Sequence, residues 1–223
     1  MTTTIHEGAD LRLEPEQGVR LLDWGDVFGR TGRVEVEIGI GKGRFLLAAA
    51  EARPDVLHLG VEWSNEYLRI AQRRAARRGL TNVRFIRIDA AHLVAKAIPD
   101  DSVDAYFVFY PDPWPKKRHQ KRRFLQRKNA VHLIRTLKLG GCLHVATDHD
   151  EYWNWIEEAF TPLADFEPLP AFGGPEFPLP IDEPLTNFEA KYAVEGRSRH
   201  RRSWRLTGKT EAVVRVDLPE ARV

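Results

Sequence analysis

From Val34 onward the chain alternates short apolar runs with longer amphipathic stretches. Val34–Ile38, Leu57–Val61, Val83–Ile88, Val103–Phe109 and Cys142–Ala146 read as five strands. Between them, helical spacing runs from Phe45 to Glu51, ending before Pro54, and from Ser64, an N-cap residue, to Gly79, a C′ residue. A further helix is expected from about Lys121 to Leu137, closing at Gly140-Gly141, and another from Glu151 to Ala159. Strands at such intervals with helices between them predict βαβ units, hence an α/β fold with a mostly parallel, doubly wound sheet. Residues 1–33 are polar and uneven and read as an arm and lead-in. Residues 34–206 form the expected domain, residues 207–223 a tail, and Pro168–Pro184, rich in Pro and Gly, a long loop.

In open parallel sheets ligands sit beyond the carboxyl ends of the strands. The residues just past those ends here are Glu37 through Gly43, Glu62, Asp89, Asp112 and Asp148. Gly39, Gly41 and Gly43 let the backbone approach a ligand closely. The third glycine of a dinucleotide fingerprint is replaced by Arg44, and no phosphate-cradling G-x-x-x-x-G-K-S/T occurs. An acid inside the turn, Glu37, repels a pyrophosphate but suits a cationic ligand. S-adenosylmethionine, with its ammonium, sulfonium and ribose diol, has that chemistry. Glu62 lies 23 residues after Gly39, where a carboxylate meets ribose hydroxyls, and Asp89 is placed to receive an adenine amino group.

The fourth strand stops at Tyr110-Pro111-Asp112-Pro113-Trp114-Pro115, and a cationic stretch follows at once. Alternate prolines stiffen the backbone and remove amide donors, which suits the mouth of a cleft. One carboxylate and one aromatic plate beside positive charge suggest an acid that meets a nucleobase while cations hold phosphates. Trp114 either stacks on that base or packs the loop. The net charge is only +2, yet Lys116 to Lys128 contains eight Lys or Arg and no acid. Two more basic clusters lie at Arg69–Arg78 and Arg197–Arg205, and together they favour a polyanionic partner.

With 223 residues and 43% hydrophobic content the chain can bury one full core. No apolar run approaches the ~20 residues of a membrane span, and the N-terminus lacks a secretory pattern, so a cytoplasmic protein is expected. The single cysteine, Cys142, rules out an internal disulfide and argues against a thiolate metal site; the histidines lack ligand spacing, so no metal is expected.

These pieces resemble the bacterial tRNA (guanine-N7)-methyltransferases. The matching segments are Glu37-Ile38-Gly39-Ile40-Gly41-Lys42-Gly43, Gly60-Val61-Glu62, Pro111-Asp112-Pro113-Trp114-Pro115-Lys116-Lys117-Arg118-His119, Thr147-Asp148 and Thr186-Asn187-Phe188-Glu189-x-Lys191. The resemblance covers roughly residues 34 to 206. It implies the Rossmann-like class I methyltransferase fold with a seven-stranded sheet, and methyl transfer from S-adenosylmethionine to a variable-loop guanosine of tRNA. It further implies that Glu37, Glu62, Asp89 and Asp112 line the cofactor pocket with the glycine turn, and that Asp112 is the catalytic acid. Lys116, Asp148, Thr186, Asn187, Phe188 and Glu189 would contact the substrate, and Arg118, His119, Gln120, Lys121, Arg122 and Arg123 the RNA. The run Arg197–Arg202 is more basic than the family pattern, and the tail matches nothing in it. A methyltransferase acting on base amino groups is the nearest rival, and a non-catalytic tRNA-binding protein of the same fold is a rival of another class. Monomer and homodimer remain equally open.

Overall fold

A computed structural model describes residues 11–14, 20–182, 185–187, 189–190 and 199–210. The elements are β1 (Arg12–Leu13), α1 (Trp24–Phe28), β2 (Val34–Ile38), α2 (Arg44–Ala52), β3 (Leu57–Val61), α3 (Asn65–Arg77), β4 (Val83–Ile86), α4 (Ala90–Lys96), β5 (Val103–Phe109), a 3-10 segment (Lys117–Arg122), α5 (Arg127–Thr136), β6 (Leu137–Thr147), α6 (Asp150–Phe160), β7 (Phe166–Pro168) and β8 (His200–Leu206). The strands form one sheet in the order β1-β4-β3-β2-β5-β6-β8-β7. Pairing is parallel from β1 through β6; β8 runs antiparallel to both β6 and β7.

Every residue of β2 and β3 is buried, as expected of parallel strands covered on both faces. One face packs against α4, α5 and α6 through Leu93, Leu133 and Ile156, and this cluster also takes in Leu22, Val27 and Phe28 from the lead-in. The other face packs against α2 and α3 through Leu46, Leu47, Leu68 and Ala71. Among the described residues, none of the helices named above covers that second face over β5 and β6. The Pro- and Gly-rich loop covers it instead, with Phe172 and Phe177 against Phe45, Phe107, Phe109 and His144. Apolar rings thus do the work of a helix where prolines prevent one.

The sheet has eight strands rather than seven. The extra one is β1, which adds two residues to the β4 edge, with Arg12 opposite Phe85. The expected arm therefore contributes a strand and a helix, the latter capped by Asp23, whose side chain accepts from Asp26 N. The helix expected over Lys121–Leu137 is also different. A 3-10 segment ends at Arg122, the chain extends through Arg123, and α5 begins only at Arg127. The break is stabilised by side chains that take the freed carbonyls: Gln126 donates to Arg123 O and Asn129 to Phe124 O. The helix then ends at Thr136, short of Gly140-Gly141. Those glycines lie within β6, where a Cβ on Gly141 would meet Asp104 O at 2.9 Å.

Candidate functional site

Parallel β2, β3, β4, β5 and β6 bring their carboxyl ends to one rim. The turn after β2 owes its shape to glycine backbone. Gly39, Gly41 and Gly43 all have positive φ, at 78°, 52° and 75°. A Cβ on Gly39 or Gly41 would meet nothing, so these two face open space, whereas one on Gly43 would strike Ala71 Cβ at 2.9 Å. Gly43 thus serves the close packing of α2 on α3. Gly60 does the same between β3 and α2, since its Cβ would lie 2.6 Å from Leu46 Cδ2.

Glu62 braces the turn. One carboxylate oxygen accepts from Gly41 N at 2.8 Å and the other from Ser64 N at 2.8 Å. Glu37 lies beneath, 2% exposed, with Oε2 lacking a hydrogen-bond partner. Burial pushes its pKa up to about 8; a backbone N–H from Leu46 opposes the rise and the charge of Glu62 adds to it. A buried carboxyl with a spare oxygen, under an open glycine turn, suits a cationic ligand group and fits S-adenosylmethionine. Asp89 is exposed and caps α4, accepting from His92 N at 2.9 Å.

β5 lies beside β2, with Ile38 opposite Val108, so the chain leaving β5 passes next to the glycine turn. Tyr110 and Trp114 adopt positive φ, 53° and 43°, unusual for bulky residues and a strain that surrounding contacts must hold. Asp112, between them, is exposed. The Trp114 ring meets its own segment here: the Arg122 guanidinium lies 5.0 Å from its ring centroid, and His119 meets it edge-on at 5.9 Å. Lys116, Lys117, Arg118, Lys121 and Arg122 are exposed, while His119 and Gln120 are half-buried.

Arg123 departs from the expectation of an RNA contact. Its side chain is fully buried, with the guanidinium 4.9 Å from the centroids of both Tyr152 and Trp155. Nε donates to Pro113 O at 2.7 Å and Nη2 to Glu151 Oε1 at 2.9 Å. No RNA phosphate reaches a side chain so enclosed. Glu189, expected at the substrate, is 1% exposed and also occupied: it accepts from Leu185 N at 2.7 Å and pairs with Arg199 and Arg201. Its own N–H donates to Thr186 Oγ1 at 3.1 Å, the local geometry of a capping motif. Asn187 beside them is exposed, and Phe188 lies outside the described residues. Asp148 is half-buried at the end of β6, just before His149, which caps α6.

Sequence reasoning gave Gly60 no packing role and did not foresee Arg123 buried against Glu151. The T-x-x-E pattern at 186–189 was a readable capping signal; nothing local marks Arg123 as buried. Among the described residues there is no group of His, Cys, Asp or Glu that could hold a metal ion, and no helix is long and apolar enough to cross a membrane. A cavity of about 470 Å³ opens at the amino ends of β2, β5 and β6, away from this rim; its Arg33 pairs with Glu176 and its Lys138 with Asp104.

A doubly wound sheet of this order, with an acid-braced glycine turn, defines a methyltransferase-type fold. Residues 31–201 match the family model described as "Putative methyltransferase". Two solved structures share the fold: one titled an antibiotic related methyltransferase (TM-score 0.53, 16% identity, 84% of this chain and 97% of that one), and the aminoglycoside resistance methyltransferase NpmB1 (TM-score 0.51, 17% identity, 78% and 87%). Among curated proteins, the tRNA (guanine-N(7)-)-methyltransferase of Aliivibrio fischeri is 35% identical over 85% of this chain and 81% of its own length. Those of Shewanella oneidensis (38%; 76% and 71%) and Ralstonia nicotianae (40%; 76% and 67%) are similar. The chain belongs to the tRNA (guanine-N(7)-)-methyltransferase family.

Proposed function

We propose that the protein transfers a methyl group from S-adenosylmethionine to N7 of a guanosine in the variable loop of tRNA. The observation that carries this reading is the adjacency of two unlike sites on one rim: an open glycine turn over the buried Glu37, and the exposed carboxylate of Asp112 one strand away, followed by a cationic segment. Glu37 and Glu62 hold the cofactor, which supplies an electrophilic methyl group when bound. Glu37 would meet the ammonium, Glu62 the ribose, and Asp89, just past β4, the adenine.

Guanine N7 carries a free lone pair and no proton to lose, so the reaction needs no general base. The protein must position the base for in-line attack and stabilise a ring that becomes cationic. The Asp112 carboxylate accepts from guanine N1–H and N2–H2 together, a pairing that identifies guanine, worth ~1–3 kcal/mol by analogy with bidentate edge contacts. The same contact tightens as the ring gains charge, the property that lowers a barrier rather than a ground state. Lys116, Asp148, Thr186 and Asn187 line the substrate side, and Arg118, His119, Gln120, Lys121 and Arg122 face the RNA backbone. Glu189 holds the turn that carries Thr186, its carboxylate accepting from Leu185 N and its N–H donating to Thr186 Oγ1.

The test is incubation of purified protein with unmodified tRNA and labelled S-adenosylmethionine, followed by nucleoside analysis. Label in N7-methylguanosine, with chain cleavage under mild alkali, is the expected result. Label in a methylated amine instead identifies an amino-group methyltransferase, and absence of label together with tRNA binding identifies a non-catalytic binder.

A further inference from the structure

Arg123 is a costly residue to keep where it stands. Its side chain has no solvent exposure, and Nη1 has no hydrogen-bond partner, yet an apolar side chain could fill the same space between two rings. What an apolar residue could not do is hold a carbonyl. Nε takes Pro113 O, the carbonyl of the residue directly after Asp112, at 2.7 Å. Nη2 takes Glu151 Oε1 on the first turn of α6, and Gln120 of the 3-10 segment donates to that same oxygen at 3.0 Å. The Tyr152 and Trp155 rings clamp the guanidinium. Tyr152 is itself fixed, its hydroxyl accepting from Leu125 N at 3.2 Å, and Trp155 donates to Leu125 O at 3.1 Å.

The loop needs such a hold. Pro111, Pro113 and Pro115 have no N–H with which to bond the sheet, and Tyr110 and Trp114 sit at strained positive φ. Asp112 is therefore carried on backbone that its own sequence does not anchor.

We infer that Arg123 is a positioning residue for Asp112: with Glu151, it latches the Asp112 loop to α6 and sets the carboxylate at the height where it meets the substrate guanine. The inference rests on the reading of Asp112 given above. An RNA contact and a latch make opposite demands on the side chain. At a phosphate contact lysine keeps the charge and binds as a point charge, so any loss there appears in tRNA binding. A latch needs the planar fork, which reaches carbonyl and carboxylate together from between two rings.

The decisive variant is Arg123→Lys, assayed on unmodified tRNA with N7-methylguanosine as readout. The wild type is run in parallel: its failure to form that product sinks the function reading, while the latch is judged from the variants of an active enzyme. The expected result is kcat lowered ~10- to 100-fold by misplacement of the carboxylate. KM for tRNA, the salt dependence of tRNA binding and the Kd for S-adenosylmethionine should stay within about twofold, since the latch touches neither ligand. Glu151→Gln, at a site half open to solvent, guards against a folding artefact; it keeps the wild-type Tm and lowers kcat by about threefold or more because a neutral acceptor holds the fork less firmly. Wild-type kcat in both variants overturns the latch. So does a loss in Arg123→Lys seen wholly as weaker tRNA binding with a flatter salt slope, which would make Arg123 an RNA contact.

Discussion

The two halves of the rim are built by different means. The glycine turn is shaped by its own backbone: three positive φ values within five residues, braced by one carboxylate at the end of the next strand. The Asp112 loop is held from outside, by a guanidinium ten positions downstream and a helix still later in the chain. The first needs positive-φ glycines, the carboxylate that ends β3 and the close packing of α2 on α3. The second needs a tertiary contact across the fold. A mutation near the turn is thus expected to act on cofactor affinity, and one near the loop on turnover.

That division can be broken most sharply at Asp112. Asp112→Asn should lower kcat at least ~100-fold while leaving the cofactor Kd unchanged, as measured by single-turnover kinetics and calorimetry. Unchanged turnover on tRNA removes Asp112 from the chemistry. On the other half, Glu37→Gln should weaken cofactor binding ~10- to 100-fold near pH 8, because a charge-assisted hydrogen bond is replaced by a neutral one.

Glu37 also sharpens the comparison through pH. Its folded pKa of about 8 lies above the ordinary 4.5, so the fold favours the protonated form. The cofactor's ammonium favours the ionised form, and binding below pH 8 therefore expels a proton. Cofactor Kd should fall by up to about tenfold per pH unit between ~6 and 8 in the wild type and stay flat in Glu37→Gln. For stability the sign is opposite. The Glu37 contribution is fully present below pH 4.5 and is lost as pH rises through 8, so Glu37→Gln should raise Tm above pH 8. A Tm no higher than wild type at pH 9 means the buried acid is not strained.

The smallest effect belongs to the exposed cations. Replacing Lys117, Arg118 and Lys121 together by Gln should weaken tRNA binding and reduce the slope of log K against log salt by ~0.7–0.9 for each phosphate no longer neutralised. Cofactor affinity should not move, and an unchanged slope would make the segment a solvated face.

The same contrast explains what the sequence could reveal. The alternation of apolar runs and amphipathic stretches gives β2 to β6 and α2, α3 and α6 because each is a local period. The rim followed, since parallel strands must end together, and with it Glu37, Glu62 and Asp112. β1 escaped notice because two residues carry no period. The break at Arg123 escaped because helical spacing continues through it; the rings of Tyr152 and Trp155, with Pro113 O and Glu151, draw that side chain inward once the fold brings them near. Arginine in a basic run reads as solvated until its neighbours in space are known.

The residues after β8 carry a practical lesson. Lys209 donates to Arg135 O and Leu137 O, and Thr210 donates twice to the buried Asp165 carboxylate. These four hydrogen bonds act as a clasp, two fastening the chain after β8 to the finish of α5 and two to Asp165 just before β7. A shortened version stopping at Leu206 would remove all four of these hydrogen bonds, so purification handles belong downstream of Thr210, where the clasp stays closed.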